Sequence, residues 1–384
     1  MFSRTDRSAL STWWWTVDKP LLTALVALMF GGLVLSLAGS PPVADKLGLE
    51  PFHFVKRHAF FLVIALSALI GTSLLDVRTI RRLAIAVFVV GVFLMVVTLF
   101  AGFEIKGARR WLNVGVFALQ PSEFVKPAFA VIIAWLFAEA DRRPDMPAHI
   151  IAVALAGLVV GLLVLQPDFG QTMLIVLVWG TVFFAAGMSW RWIIGLGVLG
   201  VGGIIAAYSA VPHVRGRIDR FLNPESHDTY QTDTAIEAFL RGGWLGQGPG
   251  EGVVKRALPD SHTDFVFAVA AEEFGIIVCL IIVVLFGFVV LRGLMRALNE
   301  HDDFSRLAVT GLVALFGMQS LINMAVNLSL MPAKGMTLPF ISYGGSSLLS
   351  LAYGMGMVLG LTRRRPRGEA RLSPAGGVAP ARTR

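Results

Sequence analysis

Ser261-His262-Thr263-Asp264-Phe265 closes a long polar stretch and opens a hydrophobic run, so it sets a carboxylate at the edge of an apolar segment. An ionisable group there is costly unless it works as a base, ligand or pairing partner, or caps the following helix. Ser261 and Asp264 have capping-box spacing, although the usual form ends in Glu or Gln. Gln120-Pro121-Ser122-Glu123 and Gln166-Pro167-Asp168 open two further runs in the same style. Proline at the first helical position followed by an acid is also an ordinary helix start. Each acid therefore has two readings, a cap or a group that does chemistry.

Glu123 and Lys126, three apart, share one helix face. They are either an ion pair tying helices together or a polar cavity wall, with Lys126 offering its charge to a phosphate. Burying either charge at mid-span would cost roughly 2.5–3.5 kcal/mol, so they should pair or face water. Glu272 and Glu273 lie more than two turns into the next run, too deep to cap. On a continuous helix Glu272 sits about 80° round from Asp264 and about 12 Å along, with Glu273 on the opposite face. Interhelical hydrogen bonding explains both as readily as chemistry does. Gln319, Asn323 and Asn327 form one polar stripe, of the kind that glues helices.

Lys334 precedes Ser342-Tyr343-Gly344-Gly345-Ser346-Ser347, which offers amides and hydroxyls to an anion at a helix start, or glycines for close packing. The glycine-rich Arg241–Gly252 stretch is no P-loop, because no Lys-Ser/Thr follows the glycines. The seven histidines show no ligand-pair spacing, no Gly-x-Ser-x-Gly elbow occurs, and nothing points to nucleic-acid binding.

The elements that must position these groups are hydrophobic. A chain that is 55% apolar and only 15% charged over 384 residues excludes a soluble protein. Ten apolar runs have the length of a membrane-crossing helix: 20–39, 58–75, 83–101, 121–138, 149–165, 169–188, 192–210, 265–291, 307–330 and 341–361. They do not alternate as the strands of a membrane barrel do. The fold class is an all-α polytopic membrane protein, with one long extracytoplasmic loop, about 211–263, between spans seven and eight. Loops of that length are functional or disordered. Residues 1–19 precede the first span, which reads as uncleaved rather than as a signal peptide. Trp13, Trp14 and Trp15 mark an interface, as do Trp190 and Trp192. Cys279 is the lone cysteine, so no intrachain disulfide forms.

Residues 362–384 form a basic tail that cannot build a core and suits anionic membrane lipids. More of the 33 Lys and Arg fall on the side of the two termini, which places both in the cytoplasm. The outer face is nonetheless basic, carrying Lys106, Arg109, Arg110, Arg215, Arg217, Arg220, Arg241, Lys255, Arg256 and Lys334. Those charges are either solvated loops or a surface that receives an anionic, lipid-linked substrate.

Five segments, in order, resemble the SEDS family of bacterial cell-wall polymerases: Lys106–Leu112, Gln120–Lys126, Gln166–Gly170, His262–Ala268 with Glu272-Glu273, and Lys334–Ser347. The similarity runs from about Leu21 to Leu361. Gly246–Gly250 and Met331–Gly335 are more similar to the division branch than to the elongation branch. The resemblance implies a peptidoglycan glycosyltransferase of the bacterial cytoplasmic (inner) membrane that polymerises lipid II, a disaccharide-pentapeptide on a polyprenyl pyrophosphate. It also implies a bitopic class B penicillin-binding protein as partner, beside other division or elongation proteins. The family's essential loop aspartate falls on Asp264, and Arg110, Trp111, Glu123 and Lys126 match its cavity positions.

Such a polymerase joins a sugar 4-hydroxyl to an anomeric carbon in one inverting displacement. It needs a base at the hydroxyl and positive charge at the departing phosphates. The expectation gives Asp264 the base or orienting role. Arg109, Arg110, Trp111, Glu123, Lys126, Lys334, Ser342 and Ser346 bind substrate and pyrophosphate, with Asp168, His262, Glu272, Glu273 and Asn323 in support. A divalent cation, Mg or Mn, bridging Asp264 and pyrophosphate stays open. The competing readings are a lipid II flippase, an elongation polymerase and an inactive scaffold.

Overall fold

The computed structural model describes residues 8–105, 108–115, 117–140, 142–143, 145–188, 190–210, 212–223, 229–332 and 335–363. Lys106, Lys334 and the tail from 364 onward lie outside the described residues. Asp18 starts the first long helix by accepting the Leu21 N–H at 3.1 Å, with Pro20 in the first turn. Asp76 and Asp302 cap two others in the same way. The order is α1 (Ala9–Thr16), α2 (Lys19–Gly39), α3 (Pro41–Lys46), α4 (His53–Leu74) and α5 (Val77–Ala101), then strands β1 (Phe103–Ile105), β2 (Ala108–Val114) and β3 (Phe117–Leu119). There follow α6 (Pro121–Ala140), α7 (Ala148–Leu165), α8 (Phe169–Ala185), α9 (Trp190–Ala210), α10 (Pro212–Leu222), α11 (Tyr230–Gly242) and α12 (Val254–Ala257). The chain closes with α13 (Val266–Leu298), α14 (Asp303–Asn327) and α15 (Gly345–Leu361).

Each of the ten expected runs is a helix, and six are long and apolar enough to cross a membrane, with α8 and α15 as shorter apolar helices. The core is built on α6, α14 and α15, whose residues are buried on nearly every face. α6 packs against α5, α14, α15, α7 and α8, while α15 lies along α4. That last approach depends on Gly356, where a Cβ would fall 2.6 Å from the Leu69 carbonyl oxygen. The outward faces stay apolar, with Val63, Phe93, Ile150 and Val284 exposed, as lipid-facing surface requires. α9 packs chiefly on α10.

Four expectations change. The stretch between α5 and α6, read for its charge and its family motif but not as strands, carries an antiparallel meander, β1–β2–β3, that pairs Phe103 with Trp111 and Leu112 with Leu119. The loop before α13 is largely helical, because α11 buries Ala235, Ala238 and Gly242 at helical spacing against α13. Trp13 is core rather than interface, since its indole N–H donates to Ser73 Oγ at 2.8 Å; Trp14 and Trp15 remain exposed.

The fourth concerns α13, which is broken. Gly275 has φ 80° and ψ 176°, and the amides and carbonyls released there pair with the glycine-rich loop. Gln247 and Gly248 donate to the Glu272 and Glu273 carbonyls at 2.8 and 3.0 Å, and Ile276 donates to the Gly243 carbonyl at 2.9 Å. No Cβ fits at Gly275, where it would meet the Gly246 nitrogen at 2.5 Å. Of these glycines, Gly242, Gly246 and Gly252 thus serve close packing, while Gly243, Gly248 and Gly250 turn the loop at positive φ.

Candidate active site

Asp264 is not in a helix. α13 starts two residues later, with Phe265 at its cap position and no side-chain cap, and the Ser261 hydroxyl donates to the Gly39 carbonyl at 3.4 Å. The capping-box reading therefore fails, and so does the angular relation to Glu272 that assumed one helix. Asp264 instead rides a turn closed by Thr263 and Asp264 N–H bonds to the Asp260 carbonyl. The stripe on α14 immobilises that turn. Asn323 and Asn327, both buried, each donate to the Asp264 carbonyl at 2.9 Å. Asn327 Oδ1 also accepts the Ala268 N–H at 3.1 Å, and Asn323 reaches the Met336 carbonyl at 2.6 Å. With its backbone held, the part-exposed Asp264 carboxylate lies beside Gly335, where a Cβ would come within 3.3 Å of Oδ2.

One turn back along α14, about 6 Å of rise, Gln319 joins the segment that follows Gly335 to a second group. Its Oε1 accepts from Lys126 Nζ at 3.1 Å and its Nε2 donates to the Thr337 carbonyl at 3.1 Å. Lys126 also meets Glu123 Oε1 at 2.9 Å, and that oxygen accepts from Gln171 Nε2 at 2.8 Å. Glu123 and Lys126 are therefore on one face and paired, with both side chains almost fully buried at 4% and 3% exposure. Pro127 follows inside the helix and has no N–H for the Glu123 carbonyl. Among the described residues, Glu123 Oε2 and Gln171 Oε1 are buried acceptors without a donor.

The meander supplies the third group. Arg110 donates Nε to the Gln166 carbonyl at 3.1 Å, reaches the Pro167 carbonyl, and pairs with Asp168 at 3.6 Å. Asp168 also caps α8 through the Gln171 N–H at 3.3 Å, so both of its readings, cap and charge partner, describe it. Arg109 is exposed and pairs with Glu104 at 3.6 Å, while Trp111 is half-buried.

The start of α15 ties these groups to one another. Ser346 Oγ accepts the Gln120 N–H at 3.1 Å and donates to the Ala118 carbonyl, and Ser342 Oγ donates to the Thr263 carbonyl at 2.5 Å. Both hydroxyls hold loops in this structure. His262 stacks on Phe54 and Tyr343, with ring centroids 4.8 and 5.5 Å away. Burial, opposed only in part by Asp260, pushes its pKa down to about 4, so it is neutral at ordinary pH.

Glu272 and Glu273 stand apart from this assembly. Glu272 accepts the Val254 and Lys255 N–H groups at 2.6 and 2.8 Å, which caps α12 from across the break. Glu273 pairs with Lys255 and accepts the Gly250 N–H at 3.1 Å. Sequence reading did not place Lys255, Gln171 or Asn327 among the site residues. The acidic doublet inside an apolar helix was the available signal, since such charges demand a cation or donors.

The sequence and the fold are similar to those of known proteins. The family model described as "Cell cycle protein", covering FtsW, RodA and SpoVE, matches residues 19–366. A Caulobacter vibrioides (strain NA1000 / CB15N) protein named "Probable peptidoglycan glycosyltransferase FtsW" is 47% identical over 95% of this chain and 94% of its own. One of the same name from Trichlorobacter lovleyi is 35% identical over 90% and 93%. Among solved structures, a chain from "Structural coordination of polymerization and crosslinking by a peptidoglycan synthase complex" superposes with TM-score 0.75 at 29% identity, over 90% of this chain and 97% of that one. Thermus thermophilus RodA superposes with TM-score 0.67 at 27% identity, over 91% and 97%. On the family match and the near full-length identity, the chain belongs to the FtsW/RodA/SpoVE family.

Proposed function

We propose that this protein is a peptidoglycan glycosyltransferase that polymerises lipid II in the bacterial cytoplasmic membrane, in septal wall synthesis, beside a bitopic class B penicillin-binding protein. The relatives' names support the activity and the division role. The neighbour taken from a peptidoglycan synthase complex supports the partner. The observation that carries the reading is the Asp264 turn, a part-exposed carboxylate whose backbone is fixed by two buried asparagines. Rigid placement of one base is what a single inverting displacement asks for.

Asp264 orients the acceptor 4-hydroxyl and takes its proton as the oxygen attacks the anomeric carbon. The pyrophosphate departs with the bond's electron pair. Arg110, aimed by Asp168 and two carbonyls, and the exposed Arg109 meet that charge, and Lys126 raises the positive potential behind it. The buried acceptors Glu123 Oε2 and Gln171 Oε1 suit a donor, a water or sugar hydroxyl, rather than a phosphate. Among the described residues no three His, Cys, Asp or Glu side chains converge. A divalent cation would thus be held by Asp264 and the substrate's own phosphate oxygens, as magnesium commonly is.

The test is polymerisation of labelled lipid II by the purified protein with its class B partner, transpeptidation blocked and no other polymerase present. Wild type should make long glycan. A folded, partner-binding Asp264→Ala variant should lose on the order of 10²–10⁴-fold in rate. Near-full yield from Asp264→Asn would remove the base role. Absence of polymer from wild type, with lipid II still crossing proteoliposome membranes, would make transport the function.

A further inference from the structure

At the end of the bundle away from Asp264, α13 carries Arg292 and Arg296 one turn apart, with Arg292 about 24 Å along from Ile276, beyond the break. Both guanidiniums converge on Asp18, Arg292 Nε at 3.0 Å from Oδ1 and Arg296 Nε on Oδ2. Asp18 is 1% exposed at its side chain and caps α2 as well. Lys19 lies over the faces of Trp14 and Trp15, 4.9 and 4.7 Å from their centroids. A cavity of about 200 Å³ opens among Trp15, Asp18, Lys19, Arg292 and Arg296.

The charges around this cavity do not cancel. Burial works to raise the Asp18 carboxyl, but hydrogen bonds from Arg292, the Leu21 N–H and Arg296 hold it below the usual carboxylate range. Asp18 is therefore ionised and offsets one of three cations, which leaves an excess of two positive charges. Each guanidinium has five N–H donors, and one carboxylate shared between two of them accepts only a few. Asp18 fixes the spacing of the pair, and the remaining N–H groups are the donors a ligand would meet. The site's depth is set by its neighbours: the apolar run of α2 begins at Leu21, and Trp14 and Trp15 are exposed beside it. That combination marks the headgroup level of a bilayer, where the abundant anion is a lipid phosphate.

We propose that this cavity binds the headgroup phosphate of an anionic phospholipid, with Arg292 and Arg296 as the donor fork and Lys19 closing over it. The bland competitor is a clamp in which Asp18 merely ties α2 to α13. The purely soluble competitor is a site for free phosphate.

The experiment is native mass spectrometry of the full-length detergent-solubilised protein, titrated separately with phosphatidylglycerol, phosphatidylcholine and inorganic phosphate. Wild type should retain phosphatidylglycerol at least ten-fold more tightly than phosphatidylcholine, and inorganic phosphate should not displace it at equal concentration. Each cation removed should weaken retention about five-fold. The informative variants are Lys19→Gln, which leaves the clamp intact, and Arg292→Gln combined with Asp18→Asn, which removes one charge of each sign. Arg296→Lys, keeping the charge but losing the fork, carries the test if the double variant does not fold. Unchanged retention in Lys19→Gln and in the folded arginine variant would reduce the cluster to a clamp. Equal competition by inorganic phosphate would overturn the lipid source.

Discussion

Two Lys–Glu pairs are buried among the described residues, and they differ in how completely their oxygens are used. Lys255 and Glu273 come from different segments and sit beside Glu272, and all four oxygens of the two glutamates receive donors, from Val254, Lys255 and Gly250. Lys126 and Glu123 stand one turn apart on α6, where Glu123 Oε1 takes both Lys126 and Gln171 while Oε2 takes none among the described residues. A saturated acid holds a fold together, and further substitution there can only remove bonds. An unsaturated one keeps acceptor capacity, and its lysine partner reaches the segment beside Asp264 through Gln319 and the Thr337 carbonyl. The two pairs look alike as buried charge but separate into latch and site.

The largest expected effect tests the site half of that distinction. Lys126→Met alone strands Glu123 as a buried charge and should destabilise the fold by about 3–5 kcal/mol. Combining it with Glu123→Leu replaces both charges by apolar groups of similar volume, which should recover most of the loss, short by about 1–3 kcal/mol for the Gln171 amide and the Gln319 oxygen left without these partners. Polymerisation should remain down by about 10²-fold or more, because the Lys126 donor and the open Glu123 acceptor are not restored with the fold. Wild-type glycan yield from the folded double variant would make this pair a second latch.

The latch half predicts the opposite pattern. Lys255→Met should lose about 3–5 kcal/mol in a denaturation series, since Glu273 is left buried beside an anionic neighbour. The double change Lys255→Met with Glu273→Leu should recover most of it, short by about 1 kcal/mol for the Gly250 N–H left without its acceptor. Polymerisation in the double variant should recover along with stability. A folded but inactive double variant would move this pair into the site.

The ten helices could be read from the chain because each is an apolar run of spanning length bounded by charge or proline. That signal lies in single residues and needs no partner. The break in α13 has no such signal. Gly275 lies within an apolar stretch that hydropathy reads straight through, and only the loop backbone at 243–248 makes a non-helical residue there affordable. The meander was missed for a related reason. Its strands are three to seven residues long and pair only with one another, too short for a period to show. At the site, Asp264, Glu123, Lys126 and the α14 stripe stood out because polar groups in apolar runs must be explained. Lys255 did not, since a lysine in a polar loop looks solvated until Glu273 claims it.

His262 sharpens the comparison from a third direction, with the smallest effect. Lys126 and Lys255 each have a carboxylate partner, whereas His262 packs on two aromatic rings and its buried Nδ1 has no hydrogen-bond partner among the described residues. Burial outweighs the pull of Asp260 on its charge, which is why its pKa falls from the ordinary 6.5 to about 4. Between those values the unfolded chain binds the proton that the folded chain refuses. The stabilisation is therefore complete above about pH 6.5 and is lost as pH falls towards 4. Thermal melts of wild type should drop across that window, and His262→Phe, which keeps the ring stack and removes the titration, should flatten the drop. Identical pH slopes in the two proteins would mean that His262 is charged in the fold. Asp260 would then act as its partner, a third buried pair, and the separation of latch from site would have to accommodate it.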